Sequence, residues 1–62
     1  AFATVCSIEE IKKGETFSEK NIWVKRPGTG EIKAEFFKDV LGKKAKKNIQ
    51  NDCQINWTDI KD

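Results

Sequence analysis

Arg26 is the residue whose chemistry and setting most favour a binding role. It is the only arginine among 12 basic residues, and it opens the loop sequence Arg26-Pro27-Gly28-Thr29-Gly30. A guanidinium offers a planar fork of donors that suits carboxylates, phosphates and amide carbonyls. Because proline fixes its own φ and restricts the residue before it, the loop should present Arg26 in a defined shape. The residues alone leave two interpretations open, recognition of a small polar ligand or an ordinary surface arginine.

No other residues form a recognisable catalytic or metal site. The chain has no histidine, so neither Cys6 nor Cys53 has the partner that would activate a thiolate. Its 10 carboxylates include no acid/base pair, and Gly28-Thr29-Gly30 lacks the Lys-Ser/Thr of a phosphate-binding loop. We expect no catalytic residue, metal or cofactor in this domain. The two cysteines could form one bridge, but two free thiols packed in small core spaces are the favoured interpretation.

A lysine cluster, Lys43-Lys44-Ala45-Lys46-Lys47, is the second candidate binding segment. Such a cluster could contact nucleic acid, but a net charge of +2 indicates no strong field for a polyanion. The cluster also follows a predicted helix end, where the helix dipole favours cations. Ala45 interrupts it as a core-facing residue would. We therefore expect a solvated edge and no nucleic-acid partner.

The sequence also carries no sign of a membrane or secretory segment. No apolar run approaches the roughly 18 residues that a membrane span needs. The start, Ala1 to Val5, is too short for a secretory signal and has no basic flank. We expect no membrane partner and a cytoplasmic location.

The elements that must position Arg26 are short. Strands are predicted at residues 4–7 and 22–25, the second ending directly before Arg26. One helix is predicted near residues 33–41, with Phe36, Phe37, Val40 and Leu41 on one face and Gly42 as its C-terminal cap. A helix of two to three turns depends on tertiary packing for its stability.

An internal repeat with an offset of 38 residues is the main organising feature. Residues 11–22 match residues 49–60 in residue type, with apolar positions at 11/49, 17/55 and 22/60. A turn pair (13–14 and 51–52), a helix-capping residue (Ser18 and Asn56) and a small residue (Ser7 and Ala45) also coincide. Two half-units related by a pseudo-twofold axis could bury a core that neither builds alone. With 62 residues, such a core is marginal and favours support from a larger partner.

Several segments resemble the C-terminal domain of bacterial N-acetylneuraminate (sialic acid) synthases. The most specific is residues 21–30, Asn-Ile-Trp-Val-Lys-Arg-Pro-Gly-Thr-Gly; the others are residues 10–15, 40–45 and 57–60. Together they span about residues 3–61. The resemblance implies a mostly β chain with short 3₁₀ and α turns. It also implies the compact antifreeze-like fold (SAF, or β-clip) of type III antifreeze proteins, with an internal pseudo-twofold repeat.

The same resemblance implies a function. Family members join N-acetylmannosamine to phosphoenolpyruvate in a TIM barrel, with a divalent metal such as Mn²⁺ or Mg²⁺. Residues 1–62 would then be a single SAF domain, a fragment of a longer synthase whose barrel is absent, and not catalytic by themselves. The domain would close over the barrel of the second subunit of a homodimer. There Arg26 would contact the sugar near its N-acetyl group, with Pro27, Gly28, Thr29 and Gly30 supporting the loop.

Two alternatives stay open. Fish type III antifreeze proteins share this fold, but ice binding needs a flat, largely uncharged face. The corresponding stretch here, residues 12–16, carries Lys12, Lys13 and Glu15. The second alternative is the SAF lid of a synthase for a related nonulosonic acid, which would use the arginine loop in the same way.

Overall fold

A computed structural model of the chain describes residues 2–61. Its strands are β1 (Thr4–Ser7), β2 (Ile22–Lys25), β3 (Lys44–Ala45) and β4 (Ile60–Lys61). The helices are α1 (Phe37–Val40) and two 3₁₀ turns at Ala34–Phe36 and Trp57–Asp59. β1 pairs antiparallel with β2, and β3 pairs antiparallel with β4. The predicted fold class is confirmed, and β1 and β2 have the predicted bounds.

The predicted repeat is confirmed as a pseudo-twofold relation whose axis passes between Ile11 and Ile49. These two residues pair with each other, and they exchange N–H···O bonds of 2.8 and 2.7 Å. Two equivalent residues that are also reciprocal partners must lie on either side of the axis. The repeat therefore joins the two halves by main-chain hydrogen bonds at its first core position.

Hydrogen bonds away from the axis repeat with the same offset. The N–H of Ser7 donates to the carbonyl of Cys53, and the N–H of Ala45, 38 positions later, donates to the carbonyl of Glu15. Strand pairing follows the same rule, because Ser7 joins β1 to β2 as Ala45 joins β3 to β4. Both small residues are buried at these crossings. In each half, the small residue at the end of a strand therefore donates a main-chain hydrogen bond to the residue that follows the turn of the other half.

The turn of each half has its left-handed residue at the same place. Gly14 has φ of 89° and Asp52 has φ of 62°. Glycine adopts this conformation without steric cost, and aspartate is one of the few other residues that tolerates it. The two turns therefore have one geometry although their sequences differ.

Each predicted capping residue donates its main-chain N–H to the side chain three residues later, and Oγ of Ser18 also accepts from the N–H of Lys20 at 3.2 Å. The N–H of Ser18 donates to Oδ1 of Asn21 at 2.8 Å, and the N–H of Asn56 donates to Oδ2 of Asp59 at 2.9 Å. A 3₁₀ turn follows in the second half, at Trp57–Asp59. In the first half the N–H groups of Asn21 and Ile22 both donate to the carbonyl of Ser18 at 3.1 Å, which forms a single hydrogen-bonded turn.

The core draws equally on both halves. All three predicted pairs, 11/49, 17/55 and 22/60, have at most 6% of their surface exposed. The buried apolar residues are Val5, Cys6, Ile11, Phe17, Ile22, Ile32, Val40, Ala45, Ile49, Ile55 and Ile60. The halves could not exclude water from these side chains separately, since the core is shared across the axis.

The predicted helix near residues 33–41 is present but begins as a 3₁₀ turn. Gly42 follows with φ of 89°, which confirms it as the C-terminal stop. Val40 is buried, and Phe37 and Leu41 pack against the core as expected. The placement of Phe36 on the core face was wrong, because it is 39% exposed. Phe36 lies at the junction of the two helical turns with φ of −98° and ψ of 7°, and its ring packs edge-on against Trp57 with centroids 6.0 Å apart.

Candidate functional site

Arg26 lies directly after β2 with an exposed side chain. Within residues 2–61, no carboxylate forms an ion pair with its guanidinium and no hydrogen bond occupies its donors. Its neighbour Lys25 differs, since its ammonium pairs with Asp52. The peptide bond from Arg26 to Pro27 is cis. The five donors of Arg26 therefore stay available for a ligand.

Gly28 fastens the loop to the chain before β1. Its N–H donates to the carbonyl of Phe2 at 2.5 Å. A Cβ at this position would lie 2.7 Å from that oxygen and 2.8 Å from the carbonyl carbon of Ala3. Since those atoms belong to the main chain and cannot turn aside, only glycine fits at this contact.

Thr4 and Gln54 hold the far side of the loop. The N–H of Gly30 donates to Oγ1 of Thr4 at 3.1 Å, and the same hydroxyl donates to Oε1 of Gln54 at 2.8 Å. The amide of Gln54 reaches Oγ1 of Thr29 at 3.5 Å. A Cβ on Gly30 would overlap the Gln54 side chain. Gly28 is therefore required by contacts with main-chain atoms, whereas a side chain at position 30 would have to displace Gln54.

The end of the loop is anchored from two directions. Glu31 accepts a 3.0 Å hydrogen bond from the N–H of Trp57, the first residue of the second 3₁₀ turn. Ile32 is fully buried, and its carbonyl accepts a 2.8 Å bond from the N–H of Val5. Arg26 therefore extends from a loop that β2, β1 and the second half of the repeat hold together.

The charges next to Arg26 are already paired. The hydrogen bond that Lys25 donates to Asp52 raises the pKa of Lys25, so this lysine stays charged beside the loop. Burial raises the pKa of the Cys6 thiol from its ordinary value of 9.0, with Lys25 opposing the shift. Cys6 and Cys53 are both free. The raised pKa keeps the Cys6 thiol protonated near neutral pH, where a thiol is a weak nucleophile.

The lysine cluster lies on another surface. Ala45 is buried as predicted, and Lys47 pairs with Asp59. Lysines of both halves line three adjoining shallow depressions: Lys13, Lys43, Lys44, Lys46 and Lys61. Trp57 borders one of them and is 41% exposed, in contact with the edge of Phe36. The absence of a nucleic-acid partner stays a prediction.

Two kinds of site residue were not predicted from the sequence. Thr4 and Gln54 support the loop, yet they lie 50 residues apart and carry no motif. Trp23 is 53% exposed on β2 and packs edge-on against Phe37 with ring centroids 5.3 Å apart. The sequence did carry a signal for Trp23. It lies next to the core residue Ile22 in a strand, and neighbouring strand residues face opposite sides, so Trp23 should face away from the core.

The described residues do not suit the divalent metal that the resemblance implies. Between residues 2 and 61, no three His, Cys, Asp or Glu side chains converge as metal ligands do. In the same range, no helix is long and apolar enough to cross a membrane.

Comparison with known families identifies the fold. The SAF domain family matches residues 5–61, nearly the whole chain. The chain belongs to the SAF domain family. The loop of Arg26 and both halves of the repeat lie inside the matched range, so the family relation covers the whole candidate site. The resemblance inferred from the Arg-Pro-Gly segment is thereby confirmed at the level of the family.

The relatives of this SAF domain include enzymes of sugar-acid synthesis. A pseudaminic acid synthase of Campylobacter jejuni is 48% identical over 53 residues, which are 86% of this chain and 15% of the relative. An N,N′-diacetyllegionaminic acid synthase of the same species is 50% identical over 44 residues, 71% of the chain and 13% of the relative. A pseudaminic acid synthase of Helicobacter pylori is 38% identical over 53 residues, which are 86% of this chain and 15% of the relative. The chain thus spans a small fraction of these enzymes.

Proposed function

We propose that this SAF domain is the substrate-capping lid of a nonulosonic acid synthase, and that Arg26 contacts the sugar substrate. The observation that carries the proposal is the free guanidinium of Arg26 on a loop fastened by Gly28 and Thr4. A fixed donor fork can bind the carbonyl of an N-acyl group and orient the sugar for attack. The lid itself supplies no catalytic group.

The rest of the active site would belong to a barrel elsewhere in the synthase. In this proposal, the lid of one subunit closes over the barrel of the second subunit in a homodimer. The barrel holds the divalent metal, Mn²⁺ or Mg²⁺, and joins phosphoenolpyruvate to the sugar. Both reactants are metabolites of the cytoplasm, which is where we place the enzyme.

The names of the relatives indicate which sugar the synthase would use as its substrate. Pseudaminic and diacetyllegionaminic acid synthases share 48% and 50% identity with the chain, and the second product carries two acetamido groups by its name. We therefore favour an N-acylated hexosamine related to N-acetylmannosamine as the substrate. N-acetylmannosamine itself, with N-acetylneuraminate as product, is the second candidate. Arg26 would serve either sugar, because both carry an amide carbonyl.

Steady-state kinetics of the synthase that carries this domain test the lid function. Arg26→Ala should lower kcat/KM for the hexosamine by about 10- to 100-fold, the worth of one charged hydrogen bond. The KM for phosphoenolpyruvate should stay unchanged. Arg26→Lys should restore activity only in part, because the fork geometry is lost. Lys38→Ala, which removes an exposed positive charge from α1, is the matched control and should have no effect. Unchanged kinetics of Arg26→Ala would refute the proposal.

A further inference from the structure

The carboxamide side chains of this chain are concentrated in one segment. There are four asparagines and two glutamines, and all except Asn21 fall between residues 48 and 56. The lid function uses only Gln54, as a support for the arginine loop. Four of the amides line a surface cleft together with Lys47 and Asp59: Asn48, Gln50, Gln54 and Asn56.

Asp59, one of the residues that line this cleft, has a buried carboxylate oxygen without a hydrogen bond. Asp59 is 3% exposed, and its Oδ2 accepts from the N–H of Asn56 at 2.9 Å. Its Oδ1 is buried and has no hydrogen-bond partner among the described residues. The ammonium of Lys47 lies 3.1 Å away and balances the charge, but it is not aligned for a hydrogen bond. A buried acceptor without a donor is rare and calls for an explanation.

The other half of the repeat shows that the fold does not need a carboxylate here. Asn21 is the equivalent of Asp59, and its Oδ1 accepts from the N–H of Ser18 in the same way. Its Nδ2 also donates to the carbonyl of Thr16 at 3.0 Å, so the amide is satisfied on both sides. An aspartate can only accept, and it therefore leaves Oδ1 open where an asparagine would not.

The lining of the cleft selects a class of ligand. Amides donate and accept hydrogen bonds, and a carboxylate accepts them, which matches the hydroxyl groups of a polyol. The carboxylate disfavours phosphates and other anions, and Lys47 disfavours cations. The side chain of Lys47 is 65% exposed, so it can move aside when a hydroxyl reaches Oδ1. The ligand class that best fits this lining is therefore a neutral molecule with several hydroxyl groups.

We propose that the cleft over Asp59 binds hydroxyl groups of a polyhydroxylated ligand, with Oδ1 as the acceptor for one of them. Gln54 belongs to this cleft and also contacts the arginine loop through Thr29. In the lid, the ligand is the hydroxyl-rich part of the same sugar whose N-acyl group meets Arg26. This second statement rests on the proposed function, whereas hydroxyl binding by the cleft does not.

Backbone amide NMR of the 62-residue chain tests the proposal with three probes. Mannitol carries hydroxyl groups only, N-methylacetamide carries the amide only, and N-acetylmannosamine carries both. We expect saturable shifts at Gln50, Asn56 and Asp59 with mannitol and N-acetylmannosamine, at up to about 100 mM ligand. N-methylacetamide should leave these signals in place. The proposal is overturned if mannitol causes no saturable shift there, or if N-methylacetamide causes the same one.

Two isosteric variants assign the effect to the buried carboxylate. Asp59→Asn restores the residue that the other half carries at position 21, so we expect it to fold, and it should weaken mannitol binding by about fivefold or more. Asp39→Asn makes the same charge change at an exposed position of α1 and should leave binding unchanged. Equal mannitol affinity in Asp59→Asn and the unmodified chain contradicts the proposal. The two proposals can fail separately. If the lid function is wrong, Arg26→Ala leaves the sugar kinetics of the synthase unchanged, while the cleft still binds mannitol.

Discussion

The hydroxyl of Thr4 donates a 2.8 Å hydrogen bond to Oε1 of Gln54, 50 residues farther along the chain. Oγ1 of Thr4 also accepts from the N–H of Gly30, so the Thr4 side chain joins the first strand, the second half of the repeat and the arginine loop. Thr4 is 2% exposed, and no water can replace either bond without rearrangement. The loop that carries Arg26 is therefore held in part by Gln54, a residue far away in the sequence.

Removal of that hydroxyl should loosen the loop. Thr4→Val keeps the shape of the side chain but leaves the N–H of Gly30 and Oε1 of Gln54 without their partner. We expect a loss of about 1–3 kcal/mol in the free energy of unfolding, measured by urea denaturation. Thr58→Val, at an exposed position, is the control and should change stability by less than about 0.5 kcal/mol. Equal stability of the two variants would contradict the role of Thr4.

A methyl group at Gly28 should displace the loop. In Gly28→Ala the new Cβ would lie 2.7 Å from the carbonyl oxygen of Phe2, so the main chain must move. We expect a cost of about 1–3 kcal/mol in the same denaturation measurement. In the parent synthase we also expect a higher KM for the sugar. Lys38→Ala, at an exposed position of α1 outside the loop, should retain both properties. A Gly28→Ala variant of normal stability would show that the loop is not fastened there.

Stability should fall in alkaline solution because of Cys6. Burial raises the pKa of this thiol above its ordinary value of 9.0, so the folded chain holds the proton more tightly than the unfolded chain. The free energy of unfolding should not depend on this group well below pH 9.0 and should fall as the pH rises above it. The slope from one thiol is at most about 1.4 kcal/mol per pH unit. Cys6→Ala should flatten the decline in urea unfolding between about pH 8 and about pH 10. An equally steep decline in the variant would assign it to other groups.

The chain should not inhibit ice growth. Lys12, Lys13 and Glu15 are all exposed on the stretch that would have to face ice. Charged side chains hold their hydration water strongly and oppose an ordered, uncharged match to ice. We expect no thermal hysteresis at millimolar protein, measured by nanolitre osmometry. Measurable hysteresis at that concentration would give the domain a function that the lid proposal does not contain.

The repeat and the loop could be predicted from the sequence because their signals are local. The apolar spacing matched Ile11 and Ile49 as equivalent positions of the two halves, and the structure shows that they also pair with each other. The proline and glycines of residues 26–30 marked the loop, and the close contacts of Gly28 explain why a glycine occurs there. In these cases residue type alone restricts the backbone.

The remaining features depend on contacts between distant residues. The bond from Thr4 to Gln54 and the open oxygen of Asp59 arise only when the two halves meet. Phe36 was misplaced because the helix pattern assumes an α-helical period from its first residue. A short helix that starts with a 3₁₀ turn breaks that assumption. Spacing along the chain could reveal none of these contacts.

The central claim is that Arg26 donates to an N-acyl carbonyl of the sugar. The most direct test is the ratio of kcat/KM for an N-acetyl hexosamine to that for the same sugar with a hydroxyl in place of the acetamido group. In the full synthase, Arg26→Ala should reduce this ratio by about 10- to 100-fold, mainly through loss of the N-acetyl substrate's transition-state binding. The hydroxyl analogue should change by about twofold at most, since it has no carbonyl for Arg26 to bind. If Arg26→Ala left the ratio as it is in the unmodified enzyme, the proposed contact would be absent.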